Sequence, residues 1–482
     1  MQPTWNHRTR SAVSSSPLTR RRLLRTLAGF AVGVNGGRLL SGQRTRTVQL
    51  ATFQADVTPP LGHPLLGGWI QPAKQIADPL EARGLVLFGA EEPIVVLSID
   101  WCELRNDAYD RWRDALAEVV GTRRERVLVS CVHQHDAPYA DLTAQRLMDQ
   151  HGLIRAMFYP DFFEQALQRV AKALRDAVAT RRRVTHFGIG QAKVQKVACN
   201  RRVQLPGQPP RFNRYSFTGD PAVRDAPEGQ IDPFLKTISF WDGDQPLAAL
   251  SCYATHPMSR YGQGNVSADF PGLARRLRQK QQPDVFQIYL TGCSGDVTAA
   301  KYNDGTPKSR ELLAQRLCQG MAAAWDATRR FPLDQVDFRV VPLRLPVERA
   351  GKLAPEALQK TLANSRAPYQ TRCQAALGLS WQKRCDAGQP IDLPVLDLGA
   401  AQFLVLPAES FVAYQLAAQQ TRPDSFVMVA GFGECAPGYI PTEKTRAEGF
   451  VKEHGYCWVA AGSEQVILAA LRRALKKRQP RR

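Results

Sequence analysis

An apolar run from Arg126 to Val132 ends in His133-Gln134-His135-Asp136-Ala137-Pro138, and this junction limits what the chain can become more than any other. A Val- and Leu-rich stretch of this length, closed by a turn signal, fits a strand buried on both faces. Residues two apart in a strand point to the same side, so both imidazoles would face one way at the strand's end. Same-side imidazoles can share a metal ion, or divide a metal and a substrate between them. His-x-His alone is a short pattern, and two ordinary loop histidines are the competing reading.

The rest of the chain gives that strand its company. Val48 to Val57 alternates like a half-buried strand and runs into the turn cluster Thr58-Pro59-Pro60-Leu61-Gly62. Glu81 to Phe88 and Ile94 to Asp100 read as further strands, with a helix over about Asn106 to Val119. After a helix over about Pro160 to Val178, Thr237 to Phe240 and Leu247 to Tyr253 read as a hairpin around Asp242-Gly243-Asp244. Val285 to Leu290, residues 335–346, Phe403 to Leu406 and Phe426 to Ala430 follow as strands, with helices between them. This alternation predicts an α/β fold with a mixed, largely buried sheet flanked by helices. Residues 47–470 read as a single catalytic domain, with a helical insertion at about 350–390 split by Ala367-Pro368. No internal repeat shows in the sequence.

The formal charge of +20 invites a nucleic-acid reading, so its location matters. The nine Arg of residues 1–46 and the seven Lys or Arg of residues 471–482 leave only +4 for everything between them. The body is nearly balanced, no aromatic residues interleave with a basic stripe, and a nucleic-acid partner is not expected. Residues 471–482 read as a basic tail.

At the other end, Thr19-Arg20-Arg21-Arg22-Leu23-Leu24-Arg25 precedes a short, mildly apolar run. This pattern resembles a twin-arginine export signal, so residues 1–46 read as signal and linker. The expected partner is the twin-arginine export machinery, and the expected location is periplasmic or extracellular. No segment is long and apolar enough to cross a membrane, which leaves room for peripheral membrane contact only. Ten cysteines include no C-x-x-C spacing, which argues against a cysteine-bound zinc. Cys373 and Cys385 are the local pair that an oxidising compartment would join.

Distant strand ends deliver the remaining polar groups. Leu247 to Tyr253 leads to His256-Pro257, Phe403 to Leu406 leads to Pro407-Ala408-Glu409, and Phe426 to Ala430 leads through glycines to Tyr439. A catalytic zinc needs about three N or O ligands and an open position. Two histidines and a glutamate meet that need. Taken singly, His256 could be a core histidine, Glu409 a helix cap and Tyr439 a turn residue.

Seven segments, in order, resemble the neutral/alkaline non-lysosomal ceramidases and their bacterial relatives. Asp56-Val57-Thr58-Pro59 is similar to the family's A-D-I-T, and Ser130 to Pro138 to T-H-T-H-S-G-P with Gln134, Asp136 and Ala137 substituted. Asn200-Arg201 resembles N-R-S, Ala254-Thr255-His256-Pro257 the second histidine motif, and Gly295-Asp296-Val297-Thr298 the start of G-D-V-S-P-N. Pro407-Ala408-Glu409 resembles P-G-E, and Gly438 to Thr442 resembles S-G-Y-x-T-T.

The resemblance implies Zn2+ held by His133, His256, Glu409 and Tyr439, with His135 and Arg201 facing the substrate beside Asn200. It implies hydrolysis of an amide bond in a small-molecule or lipid-like N-acyl compound. His135 would shuttle the proton, Tyr439 or Arg201 would stabilise the oxyanion, and Thr298, at the family's Ser, would bind or polarise the substrate. Ala299-Ala300 replaces the family's P-N, and the family's C-terminal immunoglobulin-like domain is not expected in this chain, so ceramide itself is the weaker expectation. Another metal-dependent hydrolase acting on esters or cyclic amides, amidohydrolase-like in fold, and a non-catalytic exported binding protein are the alternatives.

Overall fold

The computed structural model describes residues 47–477. The expected export signal and residues 478–482 of the basic tail lie outside the described residues.

Three mixed sheets form the frame, and each is built by the same chain path. In the first, Gln49–Asp56, Glu81–Phe88 and Ile94–Ile99 are antiparallel neighbours, the helix Asn106–Val120 follows, and Val127–Cys131 returns parallel to Ile94–Ile99. The second repeats this with His186–Lys193, Phe234–Asp242, Gln245–Tyr253, the helix Asp269–Gln281 and the parallel return Phe286–Thr291. The third does so with Asp337–Leu343, Ile391–Asp397, Ala401–Val405, the helix Val412–Thr421 and Phe426–Ala430. Even the additions correspond. Arg182–Arg183 and Arg329–Pro332 extend the first two sheets on the same edge, and a later helix packs on the first strand of each repeat.

The α/β class with mixed sheets holds, but the single sheet expected is corrected: among the described residues three large sheets and five two-stranded ones replace it, and the three large sheets share one chain path, a threefold structural repeat. What repeats is a pattern of apolar strands, which many sequences satisfy, so it leaves no residue-level copy. The strands form no closed parallel barrel among the described residues, and this removes the amidohydrolase-barrel fold.

Burial on both faces has a simple source. Leu85, Leu87 and Val96 share one apolar core with Ile238, Phe240, Leu250 and Ile288 of the second sheet and Phe403 and Met428 of the third. The alternate residues Val86, Val95 and Leu97 belong to a second core on the opposite face, together with Trp112 and Leu116 of the helix Asn106–Val120. Side-chain bonds stitch the sheets together: Ser98 Oγ donates to the Tyr289 carbonyl at 2.6 Å, and Ser130 Oγ to the Gly431 carbonyl at 2.9 Å.

The helical pair expected at 350–390 is Pro355–Ala363 and Tyr369–Asp386, between the first two strands of the third repeat. That placement corrects the disulfide expectation. Cys373 and Cys385 lie twelve residues apart on one helix, about 18 Å at ~1.5 Å per residue, whereas a bridge needs Cα atoms within about 7 Å. All ten cysteines are free thiols.

Because each sheet contains one parallel strand pair, two carboxyl ends emerge together from each, the edge where α/β sheets place ligands. The three edges meet. Thr291 Oγ1 donates to the Val132 carbonyl at 2.7 Å, and Gly431 N–H to the Thr291 carbonyl at 2.8 Å.

Candidate metal centre

His133 and His135 do not reach this junction as strand residues. The strand ends at Cys131, and His133 adopts φ 74°, a left-handed conformation that side chains with a Cβ rarely take. Two neighbours share that conformation, Ala408 at φ 51° and Phe432 at φ 53°. Strain of this kind persists where surrounding contacts over-determine it, and it gathers at functional sites. Here the contact is a stack: the His133 ring lies on Phe432, with centroids 4.1 Å apart.

The second histidine comes from the second repeat and the acid from the third. His256 Nε2 is 3.0 Å from His133 Nε2, and Glu409 Oε2 is 3.9 Å and 3.8 Å from those two nitrogens. Each imidazole is oriented from behind. His133 Nδ1 is 2.9 Å from the Cys102 carbonyl, and His256 Nδ1 is 3.1 Å from the Ser294 carbonyl. A carbonyl can only accept, so both Nδ1 atoms carry the hydrogen and both Nε2 atoms present lone pairs. Burial, followed by the charge of neighbouring groups, pushes both pKa values well below the ordinary histidine range, so neither ring offers a proton to share.

Two lone pairs 3.0 Å apart repel unless a cation lies between them. Nitrogens at ~2.0–2.1 Å from a tetrahedral zinc stand roughly 3.3 Å apart, so the spacing suits a metal. Glu409 Oε2 is buried and has no hydrogen-bond partner. Burial, and then the nearby Glu103 carboxylate, push the Glu409 pKa up to about 8 against the opposing Arg201 charge. The residues present therefore fit a metal ion. Their ligand atoms fall into two overlapping sets of mutual neighbours, His133–His135–His256 and Glu103–His133–Glu409.

Tyr439 is the partner of Glu409 across a two-residue parallel strand pair, which brings its phenol to the cluster. Arg201 Nη1 donates to that phenol at 2.8 Å and to the Gly295 carbonyl at 3.3 Å. The guanidinium is buried over the Phe212 ring, its Nε has no partner, and it forms no ion pair among the described residues. His135 is partly open. Its ring lies 5.5 Å from His133 and 5.3 Å from His256, and stands edge-on to Tyr261 at 4.5 Å. Its Nδ1 is unpartnered, and burial with the Arg201 charge lowers its pKa to about 3. Beyond Tyr261 is a cavity of about 250 Å³ lined by Asp136, Arg260, Leu273 and Arg310 among others.

Six of the eight expected site residues thus converge: His133, His135, His256, Glu409, Tyr439 and Arg201. The other two have structural engagements. Thr298 is fully buried and its Oγ1 donates to the Tyr215 carbonyl at 2.6 Å. Asn200 donates to Asp296 Oδ2 at 3.0 Å and to the Gln230 carbonyl at 2.9 Å, so its amide anchors the turn carrying Arg201 rather than facing outward. Glu103, absent from the sequence reading, sits behind His133 with Oε1 3.7 Å from Nδ1. A signal was present: Glu103 follows the end of its strand, Ile99, by four residues, as Glu409 follows Val405.

Together, fold and site define an α/β protein whose three sheet edges enclose a buried His/Glu cluster of metal-binding type. No protein-family model matches the chain, and no curated protein matches it. Among solved structures, it is similar to the crystal structure of neutral ceramidase from Pseudomonas aeruginosa, with a TM-score of 0.64 and 16% identity over 88% of this chain and 74% of that one. It is equally similar to a ceramidase complexed with C2, with a TM-score of 0.64 and 15% identity over 88% of this chain and 75% of that one. At this identity the likeness shows a shared fold, that of neutral ceramidase.

Proposed function

We propose that the chain is an exported zinc-dependent hydrolase that cleaves the amide bond of an N-acyl compound. The observation that carries this reading is the pair of Nε2 atoms 3.0 Å apart beside an unpartnered Glu409 oxygen. His133, His256 and Glu409 would hold the ion, with the Tyr439 phenol at its side. A bound zinc supplies Lewis acidity, which activates water and polarises a carbonyl.

The chain's own groups supply the rest. Arg201, a buried cation with no carboxylate partner, is available to negative charge developing on an acyl oxygen, and it orients the Tyr439 phenol toward the same place. His135 is neutral, partly open and unpartnered at Nδ1, as a proton carrier between attacking water and leaving amine must be. Exposed Tyr215 and Phe217 stand on the loop that Thr298 and Met258 pin beside His256, giving an acyl chain an apolar edge to lie against. The neutral-ceramidase fold supports an N-acyl, lipid-like substrate. The twin-arginine pattern at Thr19 to Arg25 supports export to a periplasmic or extracellular location.

The test is to measure bound metal on the purified chain and then hydrolysis of a panel of short-chain ceramides, N-acyl amino acids and simple esters. Near-stoichiometric zinc and amide turnover that collapses in His135→Ala are expected. A chain that binds no metal and turns over none of the panel would instead be a binding protein, and the proposal would fail.

A further inference from the structure

The metal-binding cluster has a second buried acid that its ligand set does not use. Glu103 is 1% exposed, and its Oε2 accepts from Arg105 Nη1 and from the Tyr456 phenol, both at 2.8 Å. Those two bonds hold one carboxylate oxygen and leave the other, Oε1, facing His133 Nδ1 at 3.7 Å. The Cys102 carbonyl at 2.9 Å takes the direct hydrogen bond, so the carboxylate adds negative charge on the same side of the ring. The threefold repeat makes this placement specific. Glu103, His256 and Glu409 all follow the inner parallel strand of their sheet by three or four residues, so Glu103 is the first repeat's counterpart of two expected ligands. Glu103 and Glu409 are moreover close enough to His133 to form one of the two candidate ligand sets among the described residues.

We infer that Glu103 is the positioning residue of the metal centre: held by Arg105 and Tyr456, it sets negative charge behind the Nδ1–H that the Cys102 carbonyl orients, and so makes Nε2 a stronger donor. The inference rests on the metal reading of the site. A carboxylate behind a ligating imidazole raises the basicity of the far nitrogen, and losing such a partner weakens metal binding by about 10–100-fold. Arg105 needs the same carboxylate for its own charge, so Glu103 also ties the cluster to the fold. That double duty calls for a pair of variants.

The experiment uses the full chain and a chromogenic chelator competing for Zn2+, with Co2+ absorption as a second readout. Glu103→Gln keeps the shape and loses the charge. Tyr456→Phe keeps the charge and loosens one oxygen. Zn2+ affinity about 10–100-fold weaker in Glu103→Gln and a few-fold weaker in Tyr456→Phe, with a shifted Co2+ spectrum in both, is the expected result. Should Glu103→Gln not fold, the Tyr456→Phe affinity and spectrum decide alone. Variants that bind both ions as the parent does overturn the inference while leaving the metal reading intact. A parent chain that binds neither ion overturns both, so the two failures are distinguishable.

Discussion

Two acid–phenol–guanidinium sets flank His133, and the chain uses them differently. In the first repeat, Glu103 and Tyr139 are partners across a short parallel strand pair with Arg105 beside them. In the third, Glu409 and Tyr439 are partners in the same way with Arg201 beside them. The chemistry of the members is nearly identical, but their electrostatic state is not. Arg105 is wholly buried and answered by two carboxylates, Glu103 at 2.8 Å and Asp141 at 3.8 Å. Arg201 is also buried, yet it faces a phenol, a carbonyl and aromatic rings. A neutralised set has no charge to offer a reacting group and serves to hold and orient its neighbours. A guanidinium without an ion pair has charge to offer a reacting group, and it lies near Glu409, whose Oε2 has no hydrogen-bond partner.

The comparison breaks first at the ligands it depends on. His256→Ala and His133→Ala are each expected to reduce Zn2+ affinity by more than the ~100-fold that loss of an outer partner costs, read by chelator competition. Retained affinity in both would mean the two sets do not surround a metal at all. The guanidiniums come next. Arg105→Met strands Glu103 and Asp141 as uncompensated buried charges and should cost about 3–5 kcal/mol, seen as a large drop in denaturation midpoint. Arg201→Met breaks no ion pair, so its midpoint should move less than that of Arg105→Met while kcat falls by roughly 10²–10³-fold with zinc retained. If the two variants exchanged these phenotypes, the division into scaffold and reacting set would be wrong. Tyr439→Phe is a milder probe of the same division. It should lower kcat about tenfold or more with small change in stability, whereas Tyr139→Phe loses one bond to Tyr456 and should cost about 1 kcal/mol.

What the sequence could say about these sets follows from what each depends on. The α/β class was legible because Val127–Cys131, Ile94–Ile99 and their counterparts are apolar on both faces, and such runs leave few alternatives. The convergence of His133, His256 and Glu409 was approachable because each follows a strand end closely. The threefold repeat was hidden: its three sheets share an apolar pattern and a chain path, while the residues at the equivalent strand ends are Glu103, His256 and Glu409. Glu103 went unread because Asp100-Trp101-Cys102-Glu103 runs directly into a helix, where an acid needs no further explanation. The left-handed turn at His133 was also out of reach, since it depends on Phe432, which arrives from the third repeat about 300 residues later. Thr298 and Asn200 were placed by motif, and motif position does not say where a hydroxyl or an amide finds its partner.

The smallest expected effect concerns the place where the second repeat departs from the other two. His256 N–H donates to the Val297 carbonyl at 3.0 Å, just as Glu409 N–H donates to the Gly438 carbonyl at 3.1 Å, so Thr298 stands after His256's partner as Tyr439 stands after Glu409's. A hydroxyl too short to reach the cluster replaces the phenol, and it turns instead to the Tyr215 carbonyl, holding the aromatic loop at the site's edge. Thr298→Val keeps the shape and removes that bond. Because the hydroxyl acts on the loop and not on the reacting atoms, stability should fall by about 1 kcal/mol. KM for long-chain N-acyl substrates should rise a few-fold while kcat stays near the parent value. A kcat loss as large as that of Arg201→Met would put the Thr298 hydroxyl among the reacting groups and give the second repeat a working member of its own.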